Sequence, residues 1–101
     1  MTTYENALQI IQESLNSLKR AGLTEQDVTV RDDTILLGTG SPLDSIAFVT
    51  FITELEDRVS RKVDRELYLV LKDIHEYNTD NSYLTAGILA RYLVKLTEPS
   101  T

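Results

Sequence analysis

Gly40-Ser41-Pro42-Leu43-Asp44-Ser45-Ile46 is a turn-rich run that feeds straight into an amphipathic pattern. Phe48, Phe51, Ile52, Leu55 and Val59 follow it and fall on one face at about 100° per residue. The combination predicts a helix over 45–59 with Ser45 at its start. The opposite face carries Ala47, Thr50, Glu54 and Asp57, while Ile46 and Val49 fall toward that solvent side beside Ser45. The first N–H groups of a helix lack internal partners and lie at the positive end of the macrodipole. A phosphate ester on the Ser45 hydroxyl would therefore sit in a favourable field. Taken alone, Asp-Ser before a helix is also an ordinary start, with Ser45 as the cap.

Upstream, Tyr4, Leu8, Ile11, Leu15 and Leu18 recur at helical steps and predict a first helix over about 3–20. Thr2 and Glu5 have capping-box spacing, and Gly22 follows a basic last turn, Lys19-Arg20. A long connection, 23–43, carries scattered apolar anchors at Leu23, Val28, Val30, Ile35, Leu36 and Leu37. Such a loop in a small domain is expected to be functional or tied down by side chains, with a short turn near 34–37. Residues 28–30 have strand character but no evident partner strand.

Downstream, Leu67, Val70, Leu71 and Ile74 suggest a third helix over 64–75. A polar stretch with candidate caps Asp80, Asn81 and Ser82 precedes a last helix over 82–96, with Ile88, Leu89, Tyr92, Leu93 and Leu96 inward. Gly87 inside it weakens the helix or admits a neighbouring backbone. The expectation is one domain over 1–101, ordered over about 3–96 with a frayed tail at 97–101. Its fold class is all-α, a four-helix bundle with a long loop between the first two helices.

Composition narrows the function classes. Of 101 residues, 42% are hydrophobic, enough for one small core. No apolar run approaches the roughly 20 residues of a membrane span, and the N-terminal residues lack signal-peptide character. A cytoplasmic protein without membrane insertion is expected. The net charge of −6 argues against nucleic acid and suits basic protein surfaces. There is no cysteine, so any thiol chemistry must come from an attached group.

The segment 33–46, followed by Phe48-Val49, Leu55-Glu56-Asp57 and 59–63, resembles the acyl carrier proteins. Asp44-Ser45-Ile46 matches their Asp-Ser-Leu signature at the opening of the second helix, and the resemblance spans essentially the whole chain. It implies the family's four-helix bundle, here of acyl-carrier type, and a 4′-phosphopantetheine group esterified to Ser45. A separate phosphopantetheinyl transferase would attach it from coenzyme A with a divalent metal. The thiol of that arm would then hold acyl groups as thioesters. On this resemblance Asp44 helps position the transferase and its metal. Ile46 and Val49 give apolar contacts, and Glu54, Glu56 and Asp57 acidic ones, to acyl-transferring or synthase enzymes. A Phe at position 48, one turn from Ser45, could narrow the entrance to an acyl cavity.

The second helix is less acidic than is common in the family, with Ala47, Thr50, Arg58, Arg61 and Lys62, and the stretch 63–82 is longer. Both favour a specialised free-standing carrier, for a lipid, polyketide or cell-surface pathway, over housekeeping fatty acid biosynthesis. A monomer is expected. A peptidyl or aminoacyl carrier shares the fold, serine and arm, and a helical adaptor with Ser45 as a mere cap is the reading from another class.

An enzyme is disfavoured. No base near Ser45 in sequence would activate it, and no nucleophile–base pair, metal cluster or cofactor loop is evident. Gly38 and Gly40 lack the Gly-Lys-Ser/Thr ending of a phosphate loop. His75, the only histidine, suits a solvated or helix-terminal place. Asp32-Asp33 and Glu54, Glu56 and Asp57 lack calcium-loop spacing. The five tyrosines read as amphipathic packing groups.

Overall fold

The computed structural model describes residues 3–24, 28–38, 41, 43–64, 67–69, 71–77 and 83–97. Four helices and a two-stranded antiparallel sheet are found among them, in the order α1 (Tyr4–Arg20), β1 (Ile35–Leu37), α2 (Ser45–Val63), α3 (Leu71–Tyr77), β2 (Leu84–Thr85) and α4 (Ala86–Leu96). The chain is thus mostly helical, compatible with the expected helical bundle, with a small sheet that the all-α expectation did not include. α1 packs against both α2 and α4, and α3 packs against α4. Ile11, Leu36, Phe51, Leu55, Val59, Leu89 and Leu93 are fully buried at the centre.

α1 starts one residue later than the capping-box reading required. Thr3 caps it, its hydroxyl accepting the Asn6 N–H at 3.1 Å; Thr2 lies outside the described residues. The helix ends in a Schellman motif. Gly22 has φ +79°, its N–H bonds to Lys19 O, and the Leu23 N–H bonds to Leu18 O. Ile11, Leu15 and Leu18 are buried as the stripe predicts, joined by Ala7, Ile10 and Ser14. Ser14 can be buried because its hydroxyl donates to Ile10 O at 2.9 Å.

The long connection is held by side chains, as its length demands. Gln12 clamps residues 28 and 30: its Nε2 donates to Val28 O at 2.7 Å and its Oε1 accepts the Val30 N–H at 2.8 Å. That clamp occupies backbone groups of the 28–30 segment, which is not a strand. The strand lies at β1, where a turn was expected, and pairs Ile35 with Thr85 and Leu37 with Leu84 across an irregular register. Leu36 is buried, whereas Leu23 and Leu37 are exposed and do not anchor the loop.

α2 runs four residues past the predicted end and stops at Asp64, which adopts the left-handed conformation (φ +55°). The predicted helix over 64–75 shortens to α3 for a visible reason. Ser60 Oγ accepts the Leu67 N–H at 3.0 Å and Glu56 Oε2 accepts the Leu69 N–H at 2.8 Å. Those donors serve α2 side chains, so residues 67–69 stay non-helical. Ile74 of the predicted stripe is buried; Val70 and the side chains of Leu71 and His75 lie outside the described residues.

α4 begins at Ala86 because Leu84 and Thr85 are taken by the sheet and Thr85 is the cap, its hydroxyl accepting the Ile88 N–H at 3.3 Å. The caps anticipated at 80–82 lie outside the described residues. Two more N–H groups of this helix start are satisfied by the long loop: Ala86 donates to Thr34 O at 2.8 Å and Gly87 to Asp32 O at 2.9 Å. Gly87 therefore admits a neighbouring backbone, the second of its two readings. An added Cβ would lie 2.7 Å from Asp32 O. Thr97, expected in the frayed tail, is buried and its hydroxyl donates to Leu93 O at 2.8 Å.

Candidate functional site

The approach to α2 is shaped by Ser41. Its hydroxyl donates to Leu36 O at 2.7 Å and accepts the Leu43 N–H at 3.1 Å. Leu43 is buried, which fixes the chain just before the helix. Gly40 and Pro42 lie outside the described residues.

Asp44, not Ser45, is the cap of α2. Its Oδ1 accepts the Ala47 N–H at 2.7 Å and its carbonyl accepts the Phe48 N–H at 2.8 Å. Ser45 is the first helical residue and is exposed. Its hydroxyl has no hydrogen-bond partner among the described residues, and neither do the backbone N–H groups of Ser45 and Ile46. The start of α2 thus offers a free hydroxyl beside two unsatisfied donors. Donors of this kind favour an anion at the positive end of the helix. A phosphodiester on Ser45 fits that arrangement without displacing an existing bond.

Ile46 and Val49 stand on the same exposed side, one turn apart, at 73% and 55% exposure. Thr53 continues the row and is exposed. Ala47, one of the four residues expected on the solvent face, is 1% exposed, a correction to the helix's polar face. It lies one turn before Phe51 and joins the buried stripe, where its small apolar side chain is accommodated. Phe48 and Phe51 are buried beneath the site with ring centroids 6.2 Å apart.

The three predicted acidic contacts do not form a bare patch. Arg58 Nε donates to Glu54 Oε1 at 3.1 Å, Arg61 pairs with Asp57, and Glu56 accepts the Leu69 N–H. The arginines lie one turn after their partners, so the pairing is legible as i,i+4 spacing. Glu56's link to residue 69 carries no comparable signal in sequence.

At the other end of the long loop, the Tyr4 hydroxyl donates to Asp32 Oδ1 at 2.5 Å. That hydrogen bond, then desolvation, holds the Tyr4 phenol above its ordinary value of 10.0. Asp32 therefore serves the loop's attachment, and its carbonyl serves Gly87. The sequence pattern of Asp32-Asp33 points to a solvated acidic face rather than a metal site and carries no signal for these two contacts.

No protein-family model matches this chain, and no match is found among curated proteins or solved structures. Among the described residues, no helix is long and apolar enough to cross a membrane.

Proposed function

We propose that this chain is a carrier protein of the acyl carrier type, modified on Ser45 with 4′-phosphopantetheine. The observation that carries the reading is the free, exposed Ser45 hydroxyl at a helix start whose capping is done by Asp44. A serine kept only as a cap would have its oxygen committed to the backbone.

In this reading Ser45 Oγ forms a phosphodiester with the phosphopantetheinyl group of coenzyme A, releasing adenosine 3′,5′-bisphosphate. The hydroxyl proton leaves to the transferase. The arm supplies the thiol that the cysteine-free chain lacks, and with it thioester carriage of acyl groups in a specialised cytoplasmic pathway. The Ser45 and Ile46 N–H groups face the negative charge of the linkage. Asp44 holds the helix start with Oδ1 and remains exposed to the transferase. Ile46 and Val49 form the apolar docking row for partner enzymes. Glu54 and Asp57 contribute less than bare carboxylates would, because each must exchange an arginine. The Arg61–Asp57 pair is exposed and worth only about 0–1 kcal/mol, so it exchanges more readily than the half-buried Arg58–Glu54 pair.

The test is intact mass before and after incubation with coenzyme A, Mg²⁺ and a broad-specificity phosphopantetheinyl transferase. One added arm on the wild type and none on Ser45→Ala supports the carrier. No addition to the wild type, with a control carrier loaded in parallel, favours the adaptor reading.

A further inference from the structure

A second surface lies away from α2, where α1, α3 and α4 meet. Tyr4, Tyr77, Arg91, Val94 and Lys95 line an open groove of about 430 Å³ there. Arg91, Val94 and Lys95 share one face of α4 at i, i+3 and i+4 spacing. The Arg91 guanidinium lies over the Tyr4 ring, 5.6 Å from its centroid, and the Lys95 ammonium over the Tyr77 ring at 5.8 Å. The Tyr77 ring is itself set edge-on against Tyr92 at 5.5 Å.

These contacts preorganise the groove. Cation–π stacking holds two flexible cations against aromatic walls. Asp32 takes the Tyr4 hydroxyl, so Tyr4 offers its ring rather than its polar tip to the groove. Among the described residues, neither Arg91 nor Lys95 has a carboxylate within ion-pair distance, whereas Arg58 and Arg61 on α2 both do. A chain of net charge −6 thus displays a locally cationic, aromatic-walled groove. Screening over about 8 Å at physiological salt keeps its recognition local.

We propose that this groove docks an acidic segment of a partner protein, with one large apolar side chain seated on Val94 between the two tyrosine rings. Carboxylates flanking that side chain reach Arg91 and Lys95. Charge complementarity selects this occupant, and the ring walls require the apolar residue. None of the lining residues belongs to α2, so the proposal stands apart from the reading of Ser45.

The test titrates the full ¹⁵N-labelled chain with the acetylated, amidated peptide Glu-Glu-Phe-Glu-Leu-Glu and with its counterpart carrying Lys in place of every Glu. Amide shifts are expected to concentrate around residues 4, 77, 91, 94 and 95 with the acidic peptide alone. R91Q/K95Q should weaken binding about five- to tenfold, in line with the loss of two exposed charge pairs. The reversed pair R91E/K95E should bind the lysine peptide instead. If the double variant loses helical signal, R91Q and K95Q singly give the same reading at smaller size. Four results would overturn the proposal: equal binding of both peptides, no shifts at millimolar peptide, inorganic phosphate displacing the peptide completely, or a dimer in sedimentation that R91Q/K95Q dissolves. Phosphopantetheine loading of R91Q/K95Q tests Ser45 separately, since the groove lies off that helix.

Discussion

The starts of α2 and α4 pose the same physical problem and solve it in opposite ways. Each begins with orphan N–H groups at a positive dipole end. At α4, Ala86, Gly87 and Ile88 all donate to protein groups: Thr34 O, Asp32 O and Thr85 Oγ1. At α2, Asp44 takes the Ala47 N–H, and the donors of Ser45 and Ile46 find no acceptor among the described residues. The closed start anchors the long loop. The open start stands in solvent beside a free hydroxyl and two exposed aliphatics. The difference teaches where this small fold spends its hydrogen bonds on structure and where it leaves donors to solvent.

The largest expected effect breaks the comparison at the open end. Ser45→Ala should abolish phosphopantetheine addition in intact-mass assays while moving stability by no more than about 0.5 kcal/mol, because the hydroxyl caps nothing. A markedly destabilised Ser45→Ala protein would mean the serine is structural after all.

Next comes the closed end. Gly87→Ala would normally strengthen a helix by about 1 kcal/mol. Here the new Cβ would lie 2.7 Å from Asp32 O and 3.1 Å from the Tyr4 hydroxyl. Overpacking against backbone should reverse the sign and cost about 1–3 kcal/mol in urea denaturation. A stabilised variant would show that the loop is not pinned there.

Asp44 separates its two roles. Asp44→Ala should lose about 1 kcal/mol with the cap, and Asp44→Asn should recover most of it, since asparagine caps equally well. Slow loading of the well-folded asparagine variant would assign the carboxylate's charge to the transferase. Unchanged loading would leave Asp44 a cap only.

The smallest effect is pH-dependent. The folded Tyr4 phenol is held above 10.0, chiefly by its hydrogen bond to Asp32. The folded state therefore keeps that proton longer than the unfolded chain, and stability falls as pH rises. The contribution is whole below pH 10 and is lost as pH climbs through the folded value. The Tyr4–Asp32 hydrogen bond is exposed, so solvent screening keeps the contribution small. Comparing wild type with Tyr4→Phe by denaturation from pH 8 to 11 should show the slope difference only at the top of that range.

The sequence by itself determined the helical stripes. Ile11, Leu15 and Leu18 on α1 and Phe48, Phe51, Ile52, Leu55 and Val59 on α2 are buried as their periodicity required. It also placed Ser45 at a helix start with Ile46 and Val49 exposed beside it. Periodicity and capping are local, and a helix reads its own near neighbours. Tertiary structure alone decided the rest. Leu84 and Thr85 became a strand because Leu37 and Ile35 stood opposite them. Residues 67–69 stayed out of a helix because Ser60 and Glu56 reached their N–H groups. Arg91 and Lys95 became the rim of a groove because Tyr4 and Tyr77 arrived from elsewhere in the chain. Each of those outcomes depends on a backbone donor or a side chain meeting a partner distant in sequence. No local pattern encodes such a meeting.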